Sequence, residues 1–141
     1  MNIRHRCRLL VVIATLMCAT QLRALERDKP TESKHVRGPK GLEGWTLNGP
    51  LPDRPNEEFP FTLVLARNGR VVRKIEGSPF IWNWIFWSDG KQVAYESGPL
   101  HFSLQCTLAD VKTGKEVASY DCFHGIPADA PDWLKTLEQP R

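Results

Sequence analysis

Cysteine, net charge and long apolar runs are all scarce in this 141-residue chain, and each scarcity excludes something. The longest uncharged apolar stretch, residues 9–20, falls short of the roughly 20 residues a membrane-crossing helix needs. Catalytic signatures are missing as well. There is no Gly-x-Ser-x-Gly elbow and no His-Glu-x-x-His pair, and Gly38, Gly41 and Gly44 precede no strand-to-helix junction that could cradle a phosphate. The neighbouring carboxylates Glu57 and Glu58 read as solvated loop charges rather than an acid–base pair. Neither an enzyme nor a cofactor is indicated.

What is present begins with a targeting pattern. Arg4, Arg6 and Arg8 precede the 9–20 run, and Leu22-Arg23-Ala24 ends on a small residue, so residues 1–24 are expected to be a cleavable secretory leader. The shortness of the run argues against an uncleaved anchor, and Met17 before Cys18 argues against lipidation. Cleavage would remove four of the 19 basic residues and none of the 16 acidic ones, leaving residues 25–141 with 15 against 16. The formal charge of +3 therefore belongs to the leader, and neither nucleic acid nor an anionic membrane surface is expected as a partner. Cys7 and Cys18 would leave too. Cys106 and Cys122 remain, and in an oxidising compartment, periplasmic or extracellular, two thiols are most simply one disulfide. In the chain-entropy model a bridge across so short a loop stabilises by about 3 kcal/mol. The competing reading is a metal set of His101, Cys106, Cys122 and His124, although its first half lacks the tight spacing of a zinc finger. If Asp110 pairs with Lys115 without irregularity, the two cysteines face opposite ways; a one-residue bulge near Gly114 puts them diagonally on one face.

Residues 25–41 are charged, carry Pro30 and Pro39 and have little apolar surface to bury, which reads as a disordered linker. Residues 42–141 read as a single β-rich domain. Pro50, Pro52, Pro55 and Pro60 exclude a helix and a central strand before residue 61, though Trp45 and Leu47 allow a short strand or anchor. Three hairpins follow: residues 61–67 and 70–76 about Asn68-Gly69, residues 80–87 and 91–97 about Asp89-Gly90, and residues 100–110 and 116–122 about Lys112-Thr113-Gly114. Together they predict an all-β fold, an antiparallel meander of about six strands. Residues 130–138 form the helix candidate, with Pro131 in the first turn, Asp129 and Asp132 complementing the dipole, and Trp133, Leu134 and Leu137 sharing one face.

The strand at residues 80–87 is the most informative. Alternation puts Phe80, Trp82, Trp84 and Phe86 on one side and Ile81, Ile85 and Trp87 on the other. Pairing about Asp89-Gly90 adds Val93 and Tyr95 to the first side and Ala94 to the second. Both sides are apolar, so the strand needs cover above and below. The helix around Trp133, the segment around Trp45 or another protein molecule must supply it. Left bare, Trp82, Trp84, Phe86 and Tyr95 would be an interaction face of a size soluble monomers rarely expose.

The run Trp87-Ser88-Asp89-Gly90-Lys91-Gln92-Val93-Ala94-Tyr95, followed by Asp110-Val111-Lys112-Thr113-Gly114-Lys115, resembles one blade of a WD-repeat-like β-propeller of the periplasmic type. The match covers about residues 80–122, and Asn68-Gly69 with its flanks is similar to the outer half of a preceding blade. The proline usual between Ser88 and Asp89 in such turns is missing. A propeller needs about four to eight blades to close, more than this chain holds. The resemblance implies a blade-like sheet and a binding scaffold, with the fold alone deciding nothing about function. The expectation is an exported, non-catalytic module that binds another protein or a second copy of itself. The alternative is a small ligand-binding protein or enzyme using Trp82 and Trp84, or a site at His101 and His124.

Overall fold

The structure, a computed structural model, describes residues 29–99 and 103–139. The expected leader, the first four residues of the expected linker, and His101 lie outside the described residues. Nine strands follow one another: β1 (Thr31–Glu32), β2 (Val36–Arg37), β3 (Leu42–Leu51), β4 (Arg54–Arg67), β5 (Arg70–Glu76), β6 (Phe80–Trp87), β7 (Gln92–Gly98), β8 (Gln105–Asp110) and β9 (Glu116–Asp121). A short helix, α1 (Asp132–Leu137), follows them. The fold is mostly β, and every strand pairing is antiparallel.

Turn chemistry accounts for the hairpins. Asn68 and Gly69 sit at φ 50° and 77°, the successive positive angles this dipeptide tolerates best, and join β4 to β5 with Arg67 opposite Arg70. Between β6 and β7 the chain reverses through Ser88, Asp89 and Gly90, all at positive φ, with Trp87 opposite Gln92. That places Phe86 opposite Val93, Ile85 opposite Ala94 and Trp84 opposite Tyr95, the expected register. In the β8–β9 turn, the Asp110 carboxylate accepts from the Thr113 N–H at 2.7 Å and from its hydroxyl at 2.8 Å. These two bonds hold the Asp110 carboxyl below its ordinary pKa.

The strands do not form one meander. They make a sheet in the order β1-β3-β4-β5, with β2 also paired to β3, and a second sheet in the order β6-β7-β8-β9. The break falls at residues 77–79: Gly77 N–H still donates to the Phe61 carbonyl at 2.7 Å, and Pro79, which has no N–H, cannot carry the ladder further. The segment from 54 to 60 is also more regular than its prolines suggest. Pro55 and Pro60 lie beyond Thr62, where β4 pairs with β3 alone, and the register slips between Leu47 and Asn48. A proline costs no ladder bond on an unpaired flank or at a bulge. The stretch expected to be a linker differs as well: β1 and β2 lie along β3, Ser33 N–H donates to the Thr46 carbonyl at 2.9 Å, and the Thr46 N–H donates to the Ser33 hydroxyl at 2.8 Å. Backbone pairing orders this polar segment with little apolar burial.

The first sheet covers one face of β6 and α1 covers the other. Between the sheets, Leu42, Leu63 and Leu65 meet Ile81, Trp84 and Val93. On the other face Ala94, Cys106, Leu108 and Cys122 pack under Trp133, Leu134 and Leu137 of α1, with Ile85 and Trp87 alongside. The Asn83 side-chain amide donates to the Leu137 carbonyl and ties the end of α1 to β6. The cover on the first face comes from β3 and β4. Trp45 itself points elsewhere and stacks on the His35 ring at 4.1 Å.

One detail departs from simple alternation. Ile81 is opposite Ser97 but Asn83 is opposite Glu96, so Trp82 is an extra residue in β6. The bulge reverses the parity before it and places Ile81 on the same side as Trp84. Close approach of β3 matters here too: a Cβ on Gly44 would lie 2.6 Å from Cη2 of Trp84. Gly44→Ala is therefore expected to cost about 1–3 kcal/mol through overpacking, read as a lower urea midpoint at unchanged slope. An unchanged midpoint would show that β3 and Trp84 are not in this contact.

Candidate functional site

The residues expected to form an aromatic face do not form one. Trp84 is 8% exposed and lies inside the core, with Phe86 and Tyr95 packed partly buried against the same cluster. Burial pushes the Tyr95 hydroxyl up from its usual pKa, against a hydrogen bond from Thr107 that lowers it. Trp82 alone of the four is exposed, because the bulge turns it out, while Phe86 and Tyr95 are half-buried; the Trp82 Nε1–H donates to the Gly98 carbonyl at 2.9 Å. A platform of Trp82 beside Trp84 is absent. The physical reason is the break at residues 77–79, which lets the first sheet fold over the side that a single meander would leave open.

Cys106 and Cys122 are joined by a disulfide with their Cα atoms 5.9 Å apart. The bulge that the pairing requires is there: Leu108 faces Ala118 while Ala109 faces Glu116, leaving Val117 as the extra residue. Cys122 N–H then bonds the Leu104 carbonyl at 2.8 Å, so Cys106, two residues further along β8, sits diagonal to Cys122 on the same face. The two sulfurs and a Glu138 carboxylate oxygen lie within 4.8 Å of one another, but bridged sulfurs present no thiolate to a metal. Nearby, burial raises the Glu96 carboxyl above its ordinary pKa, and the Glu138 charge adds to that rise. His124 is exposed, with Nδ1 3.7 Å from the Asp121 carboxylate. His101, its proposed companion, is outside the described residues.

The surface feature that sequence reasoning missed is a pair of open strand edges. Among the described residues, the sheets end on β1 and β5 and on β6 and β9; β5 and β9 are the ends that carry most of the exposed apolar side chains, and no strand pairs with their outer sides. Seven large apolar side chains are exposed among the described residues, and five of them are Val71 and Val72 on β5, Val117 and Tyr120 on β9, and Phe123 just beyond. The two edges lie on the same side of the sandwich, since the Arg73 guanidinium on β5 donates to the Lys112 and Val111 carbonyls of the β8–β9 turn. Their charges are opposite. β5 carries Arg70, Arg73 and Lys74, whereas β9 begins with Glu116 and ends with Asp121. The basic spacing in residues 70–74 is visible in the sequence; that it lines an edge follows only from the strand order. No protein-family model, no curated protein and no solved structure matches this chain.

Proposed function

We propose that the protein is an exported, non-catalytic module that associates with a second copy of itself through the open edges of β5 and β9. The carrying observation is the concentration of exposed apolar side chains on two neighbouring edges of opposite charge. An open edge strand is a template for another strand, and soluble proteins usually blunt it. Here β9 has no proline and no charge between Val117 and Tyr120. Like-with-like pairing is disfavoured: antiparallel β9 on β9 centred on its middle sets Glu116 against Asp121 of the other copy, and like charges opposite each other destabilise a ladder. Pairing β5 of one copy antiparallel to β9 of the other can set Arg70 opposite Asp121 and Val71 opposite Tyr120. Both edges lie on one side, so a two-fold axis can satisfy the pair of contacts at once and close the assembly.

The disulfide supports the exported part of this reading, because such bridges persist in oxidising compartments. The four-stranded order β6-β7-β8-β9 supports the likeness to a single propeller blade, with the other sheet and α1 standing where neighbouring blades would pack. Size-exclusion chromatography with light scattering across the micromolar range is the test, at two salt concentrations. A dimer is expected that weakens with salt and dissociates about tenfold more readily, roughly 1.4 kcal/mol, when Val71→Glu or Val117→Lys places a like charge against the facing edge. A monomer at every concentration, or a dimer indifferent to both substitutions, would overturn the proposal.

A further inference from the structure

At the end of the sandwich that carries the hairpin turns, the gap between β4–β5 and the β7–β8 strands opens into a groove of about 360 Å³. Its floor is apolar. Val72 and Val111 line it, and Gly90 adds no side chain. A Cβ at Gly90 would meet Leu42 at 2.5 Å, and the residue sits at φ 74°, so the position is built for glycine and the backbone of this turn borders the groove directly. The main chain beneath is pinned, since Arg73 holds the carbonyls of Val111 and Lys112 and the Val111 N–H donates to the Lys91 carbonyl at 2.9 Å.

The rim is cationic. Arg67, Lys91 and Lys112 border the groove, and none of the three has a carboxylate within ion-pair distance among the described residues. Asp110 is the acidic member of the lining, and its Oδ1 is committed to the Thr113 N–H and hydroxyl. Lys40, by contrast, is paired with Asp89. Three cations and one carboxylate leave an excess of two positive charges around an apolar floor, in a chain that is otherwise near charge balance from residue 25 onward.

We infer that this groove binds a phosphomonoester carried on a small apolar body, with Arg67, Lys91 and Lys112 on the phosphate and Val72 and Val111 under the body. A phosphomonoester carries close to two negative charges at neutral pH, which matches the excess at the rim. A planar guanidinium suits two phosphate oxygens at once, and the lysines act as point charges beside it. The volume lies within the range of small-molecule sites, about 300–1,000 Å³.

Phenyl phosphate is the probe, titrated into the purified protein and followed by calorimetry and by backbone amide shifts, with inorganic phosphate and phenol as parallel arms. Phenyl phosphate is expected to bind at least about tenfold more tightly than inorganic phosphate, to shift residues 67, 72, 90–91 and 110–112, and to weaken as salt rises. The exposed double variant Lys91→Gln with Lys112→Gln should lose about tenfold or more in affinity while its circular dichroism and melting temperature stay unchanged. Equal affinity for inorganic phosphate would show that the apolar floor takes no part, and would overturn the inference. So would undiminished binding by the double variant, shifts elsewhere, or the absence of binding at millimolar phenyl phosphate.

Discussion

Trp84→Ala is expected to remove about 3–5 kcal/mol of folding free energy, the largest loss of any single substitution proposed for this protein. Trp84 is 8% exposed and sits between the sheets with Leu63, Leu65 and Val93 about it, its ring edge-on to Phe86 at 5.4 Å. The truncation leaves a cavity that cannot collapse easily. Gly44 is already as close as a backbone can come on one side, and Tyr95 is fixed opposite in the ladder. Small domains hold roughly 5–15 kcal/mol in total, so the variant should unfold at a much lower urea concentration or fail to fold above room temperature. Trp82→Ala is the control. Trp82 stands 36% exposed on the bulge and loses one hydrogen bond to the Gly98 carbonyl, for a cost of about 1–2 kcal/mol. Plain alternation along β6 makes the two tryptophans equivalent; the bulged register makes them unequal. Equal losses in urea denaturation would refute that register.

This contrast marks what the amino-acid pattern could and could not reveal. The reversals at Asn68-Gly69 and Asp89-Gly90 were legible because each depends on φ angles that few residues adopt, a local property. The register from Trp87–Gln92 to Trp84–Tyr95 followed from the turn for the same reason. The helix was legible in its buried face, Trp133, Leu134 and Leu137, though it runs only from Asp132 to Leu137 and not over the whole of 130–138. The bulge at Trp82 was not legible, because an extra residue in a strand is set by how the far ends of three strands must meet, and no neighbour in sequence announces it. The pairing of β1 and β2 with β3 escaped for another reason: it is carried by backbone bonds and by Ser33 and Thr46, which leave no apolar signature. The need for cover on both faces of β6 was correctly read. The helix around Trp133 is one of the expected sources and covers one face; the other cover, Leu63 and Leu65 of β4, is not legible because a single meander places β4 in the same sheet as β6. The open edges and the cationic groove depend on strand order and on which turns share an end, so Arg67, Lys91 and Lys112 look unrelated until the sheets are stacked.

Removing the disulfide, by Cys106→Ala with Cys122→Ala or by reduction, is expected to cost about 3 kcal/mol, and the loss should fall unevenly across the molecule. The bridge closes a separation of 16 residues between β8 and the chain leaving β9 toward α1. Both cysteines belong to the cluster under α1, together with Trp133, Leu134 and Leu137. A helix of six residues has no stability of its own in water and stays only while that cluster holds it. The cluster between the sheets draws on β3, β4, β6, β7 and β8 and reaches no further along the chain than Val111. Without the bridge, α1 and residues 122–131 should therefore come away first, while the sandwich about Trp84 and Val93 survives to a higher denaturant concentration. Limited proteolysis reads this directly: cleavage after Lys135 should precede any cut within the strands in the reduced protein and be slow in the oxidised one. Near-ultraviolet dichroism should lose the Trp133 contribution, including its contact with Tyr120 at 5.8 Å, before far-ultraviolet dichroism changes. A single transition at the same midpoint with and without the bridge would mean that the helix is held by something other than this staple. Its docking would then rest on the Asn83–Leu137 bond and the apolar contacts of Ile85 and Trp87, and Asn83→Ala, not the cysteine pair, would be the substitution that frees it.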